Sequence, residues 1–382
     1  MRVVTAHYVL TGATGFLGSE ILAELLRSGA AVTCLVRTRR RDPLARLRQA
    51  LTLAGVDPED RLRIVTGDLS QAHGGLAEAD VAALRGRVDE VVHAAALIGF
   101  LIPPEQLRRV NVGGTHNALA LARSLGAGVG FTHVSTAYAA GRVRGEVGEA
   151  DAPPARGTRI FRNPYEQSKC EAEAVVRGAR DVPWTILRPS IIIGSSAAPR
   201  PVAGHSLSPL LKALATSRSG LIPARRAAPI DFVAVDYVAR AAAHIVAARR
   251  HRARTFHLVS GASFPMTLGA YVDAINEDLR RDLPPLRCLP PAVYSALARP
   301  VLCRLSSPTA QRVVRIGDAF LPYFASALYF DDSGAREALA GTGIAPPEPA
   351  ALFRRILRGY GRAQGRPTPA RTSASPPLEV AR

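Results

Sequence analysis

The stretch Tyr8-Val9-Leu10-Thr11-Gly12-Ala13-Thr14-Gly15-Phe16-Leu17-Gly18 decides how this chain folds. A short run of strand character meets three glycines spaced G-x-x-G-x-x-G, and residues 17–27 then follow helical spacing. Glycine permits a tight strand-to-helix turn and lets backbone approach a bulky anion seated on the helix's positive end. Glycine-rich turns are common, but this one falls at the chain's first strand–helix junction, where a dinucleotide-binding turn belongs. Working outward, residues 31–36, 63–66, 90–95 and 130–135 read as further buried strands, with helical patterns between them at 17–27 and 105–124. That alternation predicts a doubly wound α/β fold, a parallel Rossmann sheet covered by helices on both faces. Residues 184–193 read as a sixth strand, and 230–235 and 255–259 as later ones.

From residue 197 the rhythm fails. Pro199, Pro201 and Pro209 interrupt it around a short helix at 207–215, and Pro284, Pro285, Pro290, Pro291, Pro300 and Pro308 separate short apolar helices further on. We expect a nucleotide-binding domain over 1–196, rejoined by 229–260. A smaller, mostly helical substrate lobe over 197–228 and 261–360 should stand at the sheet's carboxyl edge, followed by a disordered tail at 361–382.

Composition narrows the function. Of 382 residues, 47% are hydrophobic and 21% charged, enough apolar content for a sizeable core. No run reaches the roughly 18 apolar residues of a membrane helix, since 91–102 is broken by His93 and stopped by Pro103. The start shows no signal-peptide pattern, so the expectation is a cytoplasmic protein. Four scattered cysteines (Cys34, Cys170, Cys288, Cys303) form neither a disulfide framework nor a zinc motif, and no metal is expected. The net charge of +18 comes from 49 basic and 31 acidic residues, and only Lys169 and Lys212 of the basic set are lysines. Such a surface suits phosphorylated cofactors, coenzyme A or acidic carriers. Aromatics are only 5% and do not interleave with the arginines, which argues against nucleic-acid binding.

The end of the second strand selects the cofactor. Arg37-Thr38-Arg39-Arg40-Arg41 stands there, with no acid before Asp42. A guanidinium can clamp a 2′-phosphate through two hydrogen bonds where a carboxylate repels it, so we expect NADP (NADPH). Further on, Tyr165-Glu166-Gln167-Ser168-Lys169 puts a phenol and an ammonium on one helix face at i and i+4. A neighbouring ammonium is expected to lower the phenol's pKa for acid–base work. At the end of the fifth strand, Ser135 and Thr136 point to opposite faces, and one of the two can hydrogen-bond a substrate carbonyl.

Over residues 8–260 the sequence resembles the extended short-chain dehydrogenase/reductases. TGATGFLG matches their cofactor loop, Tyr165 and Lys169 their YxxxK pair, and Gly67-Asp68-Leu69 the element that contacts adenine. His93-Ala94-Ala95-Ala96 matches the turn beside the nicotinamide ribose, and Asn111 the asparagine that supports the active site. Arg188-Pro189-Ser190 and the following Ile191 match the loop over the nicotinamide. The resemblance implies cofactor contacts at Gly12, Thr14, Gly15, Phe16, Leu17, Gly18, Arg37, Asp68, Leu69, Ala94, Ala95, Ala96, Tyr165, Lys169, Pro189 and Ile191. It implies a catalytic set of Thr136, Tyr165, Lys169 and Asn111, with Thr136 rather than Ser135 on the hydroxyl position.

Within that superfamily TGATGFLGSEILAELL, CLVR, VSTAY and FDDSGAREAL look nearest to the thioester reductase and fatty acyl reductase (male-sterility-like) branch. That implies NADPH-dependent reduction of a carbonyl or acyl thioester, on a small-molecule or carrier-linked substrate, with a homodimer as a common assembly. Alternatives are a hydroxysteroid- or flavonoid-like alcohol dehydrogenase and an NAD-dependent nucleotide-sugar epimerase or dehydratase. A non-catalytic cofactor sensor is disfavoured because both Tyr165 and Lys169 are kept. Apolar residues at 293–330, among them Val293, Leu297, Val301, Leu302, Phe320, Tyr323, Phe324, Tyr329 and Phe330, form either an acyl-binding wall or simply the lobe's own core. Arg225 and Arg226 are expected near the mouth of that pocket.

Overall fold

A computed structural model describes residues 5–37, 43–151, 161–197, 214, 220–249, 252–261, 266–280, 283–305 and 308–363. In chain order the described strands are β1 (His7–Thr11), β2 (Ala31–Val36), β3 (Leu62–Thr66), β4 (Glu90–His93), β5 (Gly130–Val134), β6 (Gly145–Val147) and β7 (Trp184–Pro189), then β8 (Ile191–Gly194), β9 (Leu221–Pro223), β10 (Phe232–Ala234), β11 (Arg254–Leu258), β12 (Arg287–Leu289) and β13 (Leu328–Phe330). Seven of them form one sheet in the order β11-β7-β5-β4-β1-β2-β3, and every neighbouring pair is parallel. This is the doubly wound Rossmann arrangement. The order reverses between β1 and β4, so the loops after those two strands flank the ligand crevice.

The strands are rich in apolar side chains on both faces. Val9, Leu10, Val91, Val92 and Phe131 are each fully buried, as strands covered by helices on both faces must be. Phe16–Arg27 turns Ile21, Leu22, Leu25 and Leu26 inward and ends with Arg27 in its last turn, where a cation complements the helix dipole.

Several elements differ from the sequence reading. The fourth strand ends at His93 rather than Ala95, because the chain lifts off there to make the loop facing Gly12. Residues 105–124 are helical, but Pro104–Leu107 and Gly113–Leu125 are joined by a π-helical turn, Arg108–Val112. Residues 184–193 are two strands: β7 lies in the main sheet, while β8 peels off to pair with β10. The break falls at Ser190, whose hydroxyl bonds the partly buried Asp231, as do the Ser260 amide (3.0 Å) and hydroxyl (2.6 Å). Apart from Leu214, the helix expected at 207–215 lies outside the described residues, as do Arg39, Arg40 and Arg41. The last helix, Pro349–Ala363, runs beyond residue 360, and the tail after Ala363 is outside the described residues.

The carboxyl-terminal elements attach through short parallel pairs, β12 with β9 and β13 with β6. The FDDSGAREAL segment is a strap at this junction. Buried Glu149 accepts the His257 amide (2.7 Å) and the Ala335 amide (3.1 Å), and His257 Nδ1 lies 2.6 Å from the Asp331 carbonyl. A side chain at Gly334 would fall on the Glu149 carboxylate, which accounts for the glycine in that motif.

Candidate active site

The crevice is built first from backbone. Gly12 has φ +78°, a left-handed conformation that favours glycine, and a Cβ there would sit 2.6 Å from the Ala95 nitrogen. A Cβ on Gly18 would sit 2.1 Å from the Gly12 carbonyl oxygen, so the helix can press onto the turn only because residue 18 is glycine. Gly15 caps that helix, and its amide bonds the Gly12 carbonyl (2.9 Å). Thr14, Gly15, Phe16 and Leu17 are at least partly accessible around the turn, at the positive helix end that suits a pyrophosphate. The chain therefore has the backbone cradle a dinucleotide requires.

On one side of this cradle, Arg37 is exposed at the end of β2. Asp68 and Leu69 lie at the end of β3, where Asp68 Oδ1 accepts the Ser70 amide (2.9 Å) and the Leu69 carbonyl accepts Asn117 Nδ2 (2.7 Å). On the other side, Ala94, Ala95 and Ala96 are partly buried beyond β4. Pro189 is buried at the end of β7, and Ile191 is partly exposed just after it.

Asn111 sits in the π turn and ties three elements together. Its Oδ1 accepts the Leu97 amide (2.7 Å), and its Nδ2 donates to the Leu97 carbonyl (3.0 Å) and to Ser168 Oγ (2.9 Å). One side chain thus holds the loop after β4 against the helix Pro164–Gly178. That helix starts cleanly, with Asn163 Oδ1 accepting the Glu166 amide (2.9 Å) and Pro164 at its first position. It carries Tyr165, partly buried, and Lys169, only 2% exposed. Lys169 Nζ donates to the Val134 carbonyl (2.6 Å) and lies 3.2 Å from His133 Nε2.

One electrostatic expectation needs correcting. Burial, then the charge of Glu166, hold the Tyr165 phenol above its ordinary value. Within the protein alone, the Lys169 ammonium is engaged by β5 and does not lower that phenol. Lys169 itself is brought down to about 8 by burial, with Glu173 acting in the opposite direction.

Ser135 and Thr136 differ in surroundings. Thr136 Oγ1 accepts the Tyr138 amide (3.3 Å), which leaves its own O–H free to donate. Ser135 lies on the side of Glu173, and its buried hydroxyl makes no close hydrogen bond among the described residues. Sequence reasoning passed over Glu173 and the role of Arg188. The Arg188 guanidinium bonds both carboxylate oxygens of Glu173 (2.9 and 2.7 Å), with both side chains essentially sealed from solvent.

The aromatic residues of the lobe are packing, not a free wall. Phe320, Tyr323, Phe324 and Phe330 are each at most 4% exposed. Tyr138 meets Tyr323 and Phe330 edge-on, and Phe100 stacks on Tyr323 at 5.7 Å. Buried Arg162 lies 5.5 Å from the ring centres of both Tyr138 and Tyr323, and Asn163 Nδ2 bonds the Tyr323 hydroxyl (2.7 Å). This cluster seats the helix Pro308–Phe324 on the start of the Tyr165 helix. Val293, Leu297 and Tyr329 are exposed, while the side chains of Val301 and Leu302 are outside the described residues. Arg226 is paired with Asp273 (2.6 Å), and Arg225 is exposed. A surface groove of about 590 Å³ beside β3, lined by Leu47, Leu51, Val56 and Ile64 among others, contains none of the crevice residues. Among the described residues no acid, His and Cys cluster can hold a metal ion, and no helix is long and apolar enough to cross a membrane.

A Rossmann sheet of this order, with a glycine cradle at its switch point and a Tyr–Lys helix beside it, is the architecture of the extended short-chain dehydrogenase/reductases. The chain belongs to the family described as male sterility protein, whose profile matches residues 10–242. It is 33% identical over 268 residues to a linear gramicidin synthase subunit of Brevibacillus parabrevis, covering 66% of this chain and 5% of that protein. It is also 33% identical over 252 residues to the L-2-aminoadipate reductase large subunit of Penicillium chrysogenum, covering 60% of this chain and 18% of that one. The chain therefore spans a small part of these curated relatives. Among solved structures, the terminal R domain from the myxalamid PKS-NRPS biosynthetic pathway superposes with a TM-score of 0.79 at 27% identity, covering 97% of this chain and 94% of that one.

Proposed function

We propose that this protein is an NADPH-dependent reductase of a carbonyl or acyl thioester, acting on a substrate presented on a carrier or as a small thioester. The observation that carries this reading is the juxtaposition at one crevice of the Gly12–Ala95 cradle and the helix bearing Tyr165 and Lys169, joined through Asn111. Similarity to the aminoadipate reductase and to the myxalamid R domain supports the acyl class.

A bound nicotinamide cofactor supplies the hydride. Tyr165, kept protonated at neutral pH by its burial, donates its proton to the oxygen of the reduced carbonyl. Thr136 donates a hydrogen bond to the same oxygen, and Lys169, anchored on the Val134 carbonyl, serves to hold the cofactor's ribose. Asn111 keeps the two helices and the loop after β4 in register.

Arg37 supports NADPH over NADH. Arg37→Asp should weaken NADPH binding far more than NADH binding, and titration of both by fluorescence checks this. Equal affinity of the unaltered protein for both cofactors overturns the assignment.

Substrate class is read from the rim of the crevice. Ile98 and Leu101, 60% and 67% exposed, lie on the loop after β4 that Asn111 holds, with Phe100 and Ile102 partly buried beside them. NADPH oxidation should be measured against acyl thioesters of increasing length, aldehydes, ketosteroids and nucleotide sugars. For the thioesters, kcat/KM should rise by up to about 0.8 kcal/mol per buried methylene. A flat response, or turnover of nucleotide sugars alone, contradicts the apolar acyl substrate.

A further inference from the structure

Thr11, His93 and His133 stand opposite one another on β1, β4 and β5, so their side chains share one face of the sheet. His93 is fully partnered. Thr115 gives its hydroxyl proton to the Asn111 carbonyl (2.7 Å), so it must accept from His93 Nε2 (3.2 Å). Burial, then the Lys169 charge, disfavour the charged ring, so Nδ1 of the neutral imidazole accepts from Thr11 Oγ1 (2.8 Å).

His133 is different. It is completely buried and its Nδ1 meets no partner; among the described residues, its one polar neighbour at hydrogen-bond distance is Lys169 Nζ. An ammonium has three donors and no acceptor. The Val134 carbonyl takes one of them, and an ammonium facing His133 can only donate to it.

We propose that His133 is a positioning residue for Lys169: with its proton on Nδ1, its Nε2 accepts the second N–H of the ammonium, so that the third alone is aimed at the reacting end of the crevice. The inference rests on the reading that Lys169 serves the reaction. The two residues differ by 36 in sequence and meet only because β5 and the Tyr165 helix pack together.

The groups facing Lys169 are Glu173 on its own helix, itself bound by Arg188, and His133 and His93 on the sheet. Burial, then the Lys169 charge, hold both imidazoles below their ordinary value, so neither competes with the ammonium for charge. The protonated lysine is the working form, and activity should fall as pH rises through its pKa. Removing an acceptor destabilises the ammonium and moves that fall to lower pH.

The test compares His133→Phe, His133→Gln and Lys169→Met. The alkaline limb of kcat should move down by about one pH unit in His133→Phe, the size expected for one hydrogen bond to a charged group. His133→Gln, whose amide oxygen stands near the Nε2 position, should keep the limb within about 0.3 unit of the unaltered protein. If the phenylalanine variant is insoluble, His133→Leu, close to histidine in volume and without an acceptor, reads the same shift. A limb unmoved in His133→Phe or His133→Leu overturns the proposal, and so does an equal shift in His133→Gln. Lys169→Met separates the two failures, because near-normal turnover in that variant removes the reading of Lys169 itself.

Discussion

Tyr165→Phe should lower kcat by about 10²–10⁴-fold while NADPH binding stays close to that of the unaltered protein. The hydroxyl is the proton donor in the proposed reduction, and burial keeps it protonated across the neutral range. Phenylalanine preserves the ring's packing, so a fall in kcat with unchanged melting temperature isolates the proton. Steady-state turnover with the best acyl thioester, alongside cofactor titration, makes the measurement. Near-normal kcat would show that another group supplies the proton. In the same series Thr136→Val should lose more than Ser135→Ala, since Thr136 has a hydroxyl proton left to give while Ser135 lies toward Glu173.

Arg188→Met should destabilise the fold by about 3–5 kcal/mol, because it removes the guanidinium that bonds both oxygens of the buried Glu173 carboxylate, with Arg177 3.9 Å away as the remaining cation. Burial alone pushes Glu173 up, but the charge and hydrogen bonds of Arg188 outweigh it and leave the carboxylate below its ordinary range. The sign of the pH dependence follows. In the unaltered protein this contribution is complete above the ordinary glutamate value and is lost as pH falls through the lower folded value. In Arg188→Met the folded value rises instead, so the penalty is largest at neutral pH and shrinks as acid protonates Glu173. Urea unfolding at pH 7 and pH 5 should therefore show a narrower gap at the lower pH. The double variant Arg188→Met/Glu173→Gln, in which neither charge of the pair is left, should recover most of the loss. A gap that does not change with pH rules out the unpaired carboxylate as its cause.

Much of this molecule was legible in local sequence. The glycine spacing from Gly12 to Gly18 determined a strand–turn–helix that admits a dinucleotide, because only glycine fits where a Cβ would meet the Ala95 nitrogen or the Gly12 carbonyl oxygen. The i, i+4 spacing of Tyr165 and Lys169 determined that they share a helix face, and the alternation of apolar runs determined the parallel sheet. Only the tertiary structure decided the rest. Whether residues 184–193 make one strand or two depends on Asp231, which gathers Ser190 and Ser260 from other parts of the chain. Whether the aromatics at 320–330 line a pocket or fill the core depends on Tyr138, Phe100 and Arg162, none of them near in sequence. The partners of Glu173 and Lys169 were hidden for the same reason. A local pattern reports which face a residue occupies, whereas a buried charge is completed by whichever group the packing of strands and helices brings within hydrogen-bond reach.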